Sequence, residues 1–163
     1  MKTLEQAEPK TQVSELHELL NELTDYARTY DKERCFPKHA WTWESTKNFL
    51  HYHLNQGTLL FVRDEEGSVS GLTTWWRWNK KDLIDIEDDE IFQNPPKHYA
   101  DGDLLYLSDV VTTNPIAMKS LAKELVKRNP DYADLEIWGT RKNKRTGVAS
   151  RIRYNRRILD LIK

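Results

Sequence analysis

At 163 residues, 38% hydrophobic and 10% aromatic, the chain can bury one substantial core, which excludes a disordered polypeptide. The lone Cys35 excludes an internal disulfide and a cysteine-only zinc site, and suits a reducing compartment. The net charge of −1 conceals two opposed blocks: residues 82–103 hold eight acids against Lys97, and residues 141–157 hold eight Lys and Arg with no acid.

The N-terminal MKTLEQAEPKTQ lacks the apolar stretch of a signal peptide, and no later apolar run approaches the roughly 18 residues of a membrane span. A soluble, cytoplasmic protein is expected. Residues 1–13 read as a flexible polar tail and 14–163 as a single domain.

Ser14 is positioned to cap a helix whose apolar residues Leu16, Leu19, Leu20, Leu23 and Ala27 follow helical spacing. CFPKHAWTW is irregular. From Thr42 a second helix carries Trp43, Leu50 and Leu54 on one side and stops at Gly57. TLLFVRD and SVSGLTTWWRW, joined at Glu65-Glu66-Gly67, predict a β-hairpin. The acidic DLIDIEDDEIFQNPPK breaks at Pro95-Pro96 and is expected to cover a sheet edge as a loop or short helix.

LLYLSDVV then resumes the sheet. Asn114 and Pro115 start a helix over AMKSLAKELVKRN that Asn129-Pro130 ends. DLEIWGTR and GVASRIRY are two further strands around a basic turn, followed by a short helix or tail. The order α-α-β-β-loop-β-α-β-β predicts an α+β domain with a mixed, mostly antiparallel sheet flanked by helices. Its one β-α-β unit, at 104–140, demands parallel neighbours.

Ligands of open sheets favour the carboxyl end of a strand that feeds a helix, where the backbone and helix dipole attract anions. Val111, Thr112, Thr113 and Asn114 occupy such a place and are candidate ligand-binding residues, although the loop has no glycine to cradle a pyrophosphate. Asp109 puts an acid inside the preceding strand. It is either a structural partner or the support of a catalytic base.

Of the five histidines, His17 reads as a surface residue. His51 and His53 are too close for one helical face and make a poor metal pair. His98 follows the Pro-Pro loop, and His39, fixed between Pro37 and Trp41, is the best placed for function. No metal-ligand pattern is present.

Pro37-Lys38-His39, followed by Gly102, Asp103, Tyr106 and Asp109 and a basic strand-turn-strand ending, resembles the toxin-activating lysine acyltransferases of the GNAT-like superfamily. The resemblance spans roughly residues 33–158. It implies fatty acyl transfer from acyl carrier protein to lysines of a protein substrate, with His39 as base or nucleophile and Asp109 orienting its imidazole. It implies an acyl-acyl carrier protein or acyl-CoA donor and no tightly bound cofactor.

Two positions depart from that pattern. The family's Pro-aromatic-Gly turn after the strand acid is here Val110-Val111-Thr112-Thr113-Asn114-Pro115, and Ala40 replaces a basic residue after the histidine. The basic ending, Arg151 and Arg153 included, would suit an acidic carrier protein or coenzyme A phosphates. Three tryptophans in WWRW, costly to leave in water, lead to the expectation of a homodimer. The alternatives are an ordinary acetyl-CoA-dependent GNAT acetyltransferase acting on a small amine and, ranked last, a nucleic-acid-binding module using the basic ending and the tryptophans.

Overall fold

The computed structural model describes residues 9–30, 42–84, 95–142, 145–146 and 149–154. The elements, in chain order, are α1 (Pro9–Tyr30), α2 (Trp43–Gln56), β1 (Leu59–Arg63), β2 (Val69–Trp78), the single turn α3 (Lys80–Leu83), β3 (Leu104–Thr112), α4 (Pro115–Arg128), β4 (Glu136–Lys142) and β5 (Ala149–Arg153). The five strands form one sheet in the order β1-β2-β3-β4-β5, and only β3 and β4 pair in parallel. This is the expected α+β class, with a mostly antiparallel sheet between helices, as in a GNAT-like domain. The parallel pair falls in the β-α-β unit where it was predicted.

α1 begins earlier than its apolar stripe suggests. Proline is tolerated at a helix start because its missing N–H would have no intrahelical acceptor there, and Lys10 and Gln12 favour helix. Ser14 therefore lies inside the helix instead of capping it. Of the expected tail, residues 9–13 are helical and 1–8 lie outside the described residues.

α2 is bounded as expected. Thr42 Oγ1 accepts from the Ser45 N–H at 3.1 Å, and Gly57 takes the left-handed conformation, φ 80°, that ends the helix without a Cβ penalty. Its buried stripe differs from the expected one, running through Thr46, Leu50 and His53. Trp43 instead reaches sideways, its indole N–H donating to Asp25 Oδ1 at 2.8 Å.

Strand alternation assigns the two faces. Leu59 and Phe61 of β1 join Leu72 and Val111 against Leu20, Leu23, Ala27 and Leu50 of α1 and α2. Leu60 and Val62 point the other way, joining Trp75, Leu105, Leu107 and Ile137 against Leu121 and Leu125 of α4. Trp76, Trp78, Leu83, Leu104 and Tyr106 form a third cluster toward the far end of β2.

A buried arginine ties the end of β2 to two loops. Arg77 is 4% exposed, donates to the Gly102 carbonyl and to Asn129 Oδ1, and pairs with Asp131 at 2.8 Å. The guanidinium holds the Asp131 carboxyl below its ordinary pKa. Gly102 has no room for a side chain, since a Cβ there would lie 2.6 Å from the Trp78 carbonyl oxygen.

Candidate functional site

β3 and β4 pair in parallel only from Leu104–Glu136 to Leu107–Gly139. Beyond that level β3 continues to Thr112 against β2, while β4 continues to Lys142 against β5. The two strands thus stop sharing hydrogen bonds at their carboxyl ends, and a fork opens before α4. Carboxyl ends of parallel strands are where open sheets bind ligands.

The fork begins at a β-bulge. Leu107 is opposite Trp75 and Asp109 is opposite Thr74, so Ser108 is the extra residue. Such a bulge interrupts the regular pairing, and it falls at the position where the acid breaks the apolar run of β3 in the sequence. The hydroxyls of Ser108 and Thr74 on either side are buried, and neither has a hydrogen-bond partner. Among the described residues of the fork, these two hydroxyls have unused hydrogen-bonding capacity.

The residues expected to bind the donor are otherwise occupied. Val111 is 3% exposed and packs against α1, with its carbonyl 3.5 Å from the Tyr26 hydroxyl. Thr113 donates from both its N–H and its hydroxyl to the Ser70 carbonyl, each at 3.0 Å. Asn114 Oδ1 accepts from the Ala117 N–H at 2.7 Å as the cap of α4, and Pro115 has no N–H to offer. The first turn of α4 is therefore a poor anion cradle. Thr112, half-buried, remains at the end of β3.

Arg151 and Arg153 are not brought to this loop. Arg153 is paired with Trp138, level with Tyr106 and roughly 17 Å back along β3 from Val111 at about 3.3 Å per residue. It also meets Glu136 at 3.3 Å, and Lys80 meets the same carboxylate at 3.3 Å. Arg151 Nη1 donates to the Leu83 carbonyl at 3.0 Å.

Other residues behind the resemblance have structural duties. Asp103 Oδ1 accepts from the Lys80 N–H at 2.8 Å, at the start of α3, and Tyr106 is fully buried with its ring 4.7 Å from that of Trp78. His39 lies outside the described residues. The backbone of Asp109 sits at the bulge, and its side chain lies outside the description.

Sequence reasoning passed over His53. It is wholly buried beside Trp76, ring centroids 4.7 Å apart, with Nδ1 2.7 Å from Thr58 Oγ1 and Nε2 without a partner. Burial, reinforced by the nearby His98, pushes its pKa down to about 3, so it is neutral at ordinary pH. His98 also lies near Trp76, ring centroids 6.4 Å apart, accepts the Arg77 N–H at Nδ1 at 3.1 Å, and is likewise lowered by burial and by Arg77. The missed signal was spacing: His53 follows Thr46 and Leu50 at i+7 and i+3, one helical face in which only Leu50 is apolar. His17 is exposed beside Lys47, as expected. Among the described residues, no group of three His, Cys, Asp or Glu side chains could hold a metal ion.

The ground for expecting a homodimer is removed. Trp75, Trp76 and Trp78 are 3%, 6% and 0% exposed within one chain, because both faces of β2 are covered, and they require no second subunit to shield them. The same burial withdraws them as a base-stacking surface. Among the described residues no helix is long and apolar enough to cross a membrane. No protein-family model and no curated protein matches the chain.

Proposed function

We propose that the chain is an acyltransferase that moves a fatty acyl group from acyl carrier protein to lysine side chains of a protein substrate. The observation that carries this reading is the fork between β3 and β4, with the bulge at Ser108-Asp109 at its base. A thioester on a long, narrow arm needs an approach through the sheet that does not disturb the core. Two parallel strands that part at their carboxyl ends offer one.

In this reading the lysine amine attacks the thioester carbonyl, an amide forms, the carbon–sulfur bond breaks and the thiol leaves. An amine of ordinary pKa, about 10.4, is nearly all charged at neutral pH, so a base must take its proton. His39 takes that proton and returns it to the departing thiolate. Asp109 orients the imidazole and stabilises its charged form. A coenzyme A donor is less well supported, because the capped first turn of α4 offers little to a pyrophosphate.

The test is incubation of the purified protein with palmitoyl-acyl carrier protein, or with palmitoyl-CoA, and a lysine-containing protein acceptor, followed by mass spectrometry. Amide formation with release of carrier thiol is expected. Failure with every thioester would end the acyltransferase reading. Acetyl transfer from acetyl-CoA to small amines alone would replace it with an ordinary acetyltransferase.

A further inference from the structure

Charge is sorted between the two sides of the sheet. The solvent side of α1 carries Glu15, Glu18 and Asp25, all exposed, whereas that of α4 carries Lys119, Lys123 and Lys127, also exposed. Residues three or four apart lie above one another on a helix. Ile116, Lys119, Lys123 and Lys127 therefore form one stripe about 17 Å long at roughly 1.5 Å per residue. The only acid of α4, Glu124, is held by Lys127 at 3.1 Å. Among the described residues no ion pair involves Lys119 or Lys123.

The stripe ends at the fork. Ile116, in the first turn of α4, is 79% exposed, and Val110, on the part of β3 that has left β4, is 40% exposed. A lysine row alone is an ordinary solvated face. One that terminates in exposed apolar residues beside a candidate site has the make-up of an interface, with charge for steering and an apolar centre.

We propose that this stripe is the docking surface for an acidic face of the protein that carries the thioester, with Ile116 and Val110 covered where its arm enters the fork. The proposal rests on the acyl-transfer reading and adds the surface on which the carrier sits. Charge complementarity selects the α4 side, because the acids of α1 would repel the same partner. It also differs from docking on the basic ending, where Arg153 is already paired with Glu136 and Arg151 with the Leu83 carbonyl.

The test compares the full-length protein with the Lys119→Glu/Lys123→Glu variant and, as a control on the opposite side, Glu15→Lys/Glu18→Lys. Binding is measured by fluorescence anisotropy with carrier protein bearing a non-hydrolysable palmitoyl amide. Transfer is measured from palmitoyl-acyl carrier protein and from palmitoyl-CoA. The lysine reversal should weaken carrier binding and raise the carrier KM on the order of tenfold at low salt, with the difference shrinking as salt rises. Transfer from palmitoyl-CoA and the behaviour of the α1 control should be unchanged. Ile116→Ser should weaken carrier binding without altering its salt dependence.

Unchanged carrier binding in the lysine variant, no carrier binding by the wild type, or an equal loss with palmitoyl-CoA would each overturn the docking surface while leaving acyl transfer to be judged by the wild type. Carrier binding that depends on the lysines, in a wild type that transfers from no thioester, would uphold the surface and end the acyltransferase reading. Retention of duplex DNA, lost on lysine reversal and without carrier binding, would assign the stripe to nucleic acid and refute the proposal.

Discussion

Acidification should destabilise this protein through His53 before its carboxylates are involved. The imidazole is fully buried, and its pKa in the folded chain is about 3, against about 6.5 for an unfolded histidine. Above pH 6.5 both states are neutral at this site, and it contributes no pH dependence. Below pH 6.5 the unfolded chain takes up a proton that the folded chain refuses, so stability falls with pH until about pH 3.

One proton is worth about 1.4 kcal/mol per pH unit, which gives a loss of about 2 kcal/mol between pH 7 and pH 5. That is a sizeable part of a typical total of roughly 5–15 kcal/mol. The assay is urea unfolding of wild type and His53→Asn at pH 7 and pH 5. Asparagine can still approach Thr58 but does not titrate. The variant should start less stable because of the volume it loses, yet fall by about 2 kcal/mol less on acidification. Some slope should remain from His98, which is lowered for the same reason and loses stability in the same direction. Equal losses in the two proteins would show that His53 is not a buried neutral group and would refute the reasoning.

Arg77→Met should cost about 3 kcal/mol in urea unfolding, since it strands the Gly102 carbonyl and Asn129 Oδ1 inside the protein, while Asp131→Asn should cost under about 1 kcal/mol because that carboxylate is half in water. Gly102→Ala should lower stability by about 2 kcal/mol by pushing against the Trp78 backbone, and a wild-type thermal midpoint would contradict that contact. His39→Ala and Asp109→Ala should each abolish acyl transfer with far-ultraviolet circular dichroism unchanged, and the double variant should be little worse than either, as for residues acting as a unit. Near wild-type transfer by either single variant would remove that pair from the mechanism.

Element types and most boundaries were legible in the sequence because they depend on local chemistry. Thr42 and Asn114 cap helices through their own side chains, Gly57 ends one by adopting a conformation that other residues resist, and alternation in β1 sends Leu59 and Leu60 to opposite faces whatever lies there. The parallel neighbours of the β-α-β unit were likewise implied by the crossover helix. Only tertiary structure decided the rest, because it depends on residues distant in sequence meeting. The length of β3–β4 pairing before the fork and the bulge at Ser108 are matters of register between strands distant in sequence, which no local pattern in β3 specifies. Alternation alone put the tryptophans of WWRW on both faces of β2 as core or interface residues, and only the packing of the other elements decided that one chain covers both faces; Arg77 among them became a buried tether only when Gly102, Asn129 and Asp131 converged on it. His53 was set aside as half of a poor metal pair, because the helical face it shares with Thr46 and Leu50 holds one apolar residue and its burial is completed by Trp76 and Thr58, which are outside its helix.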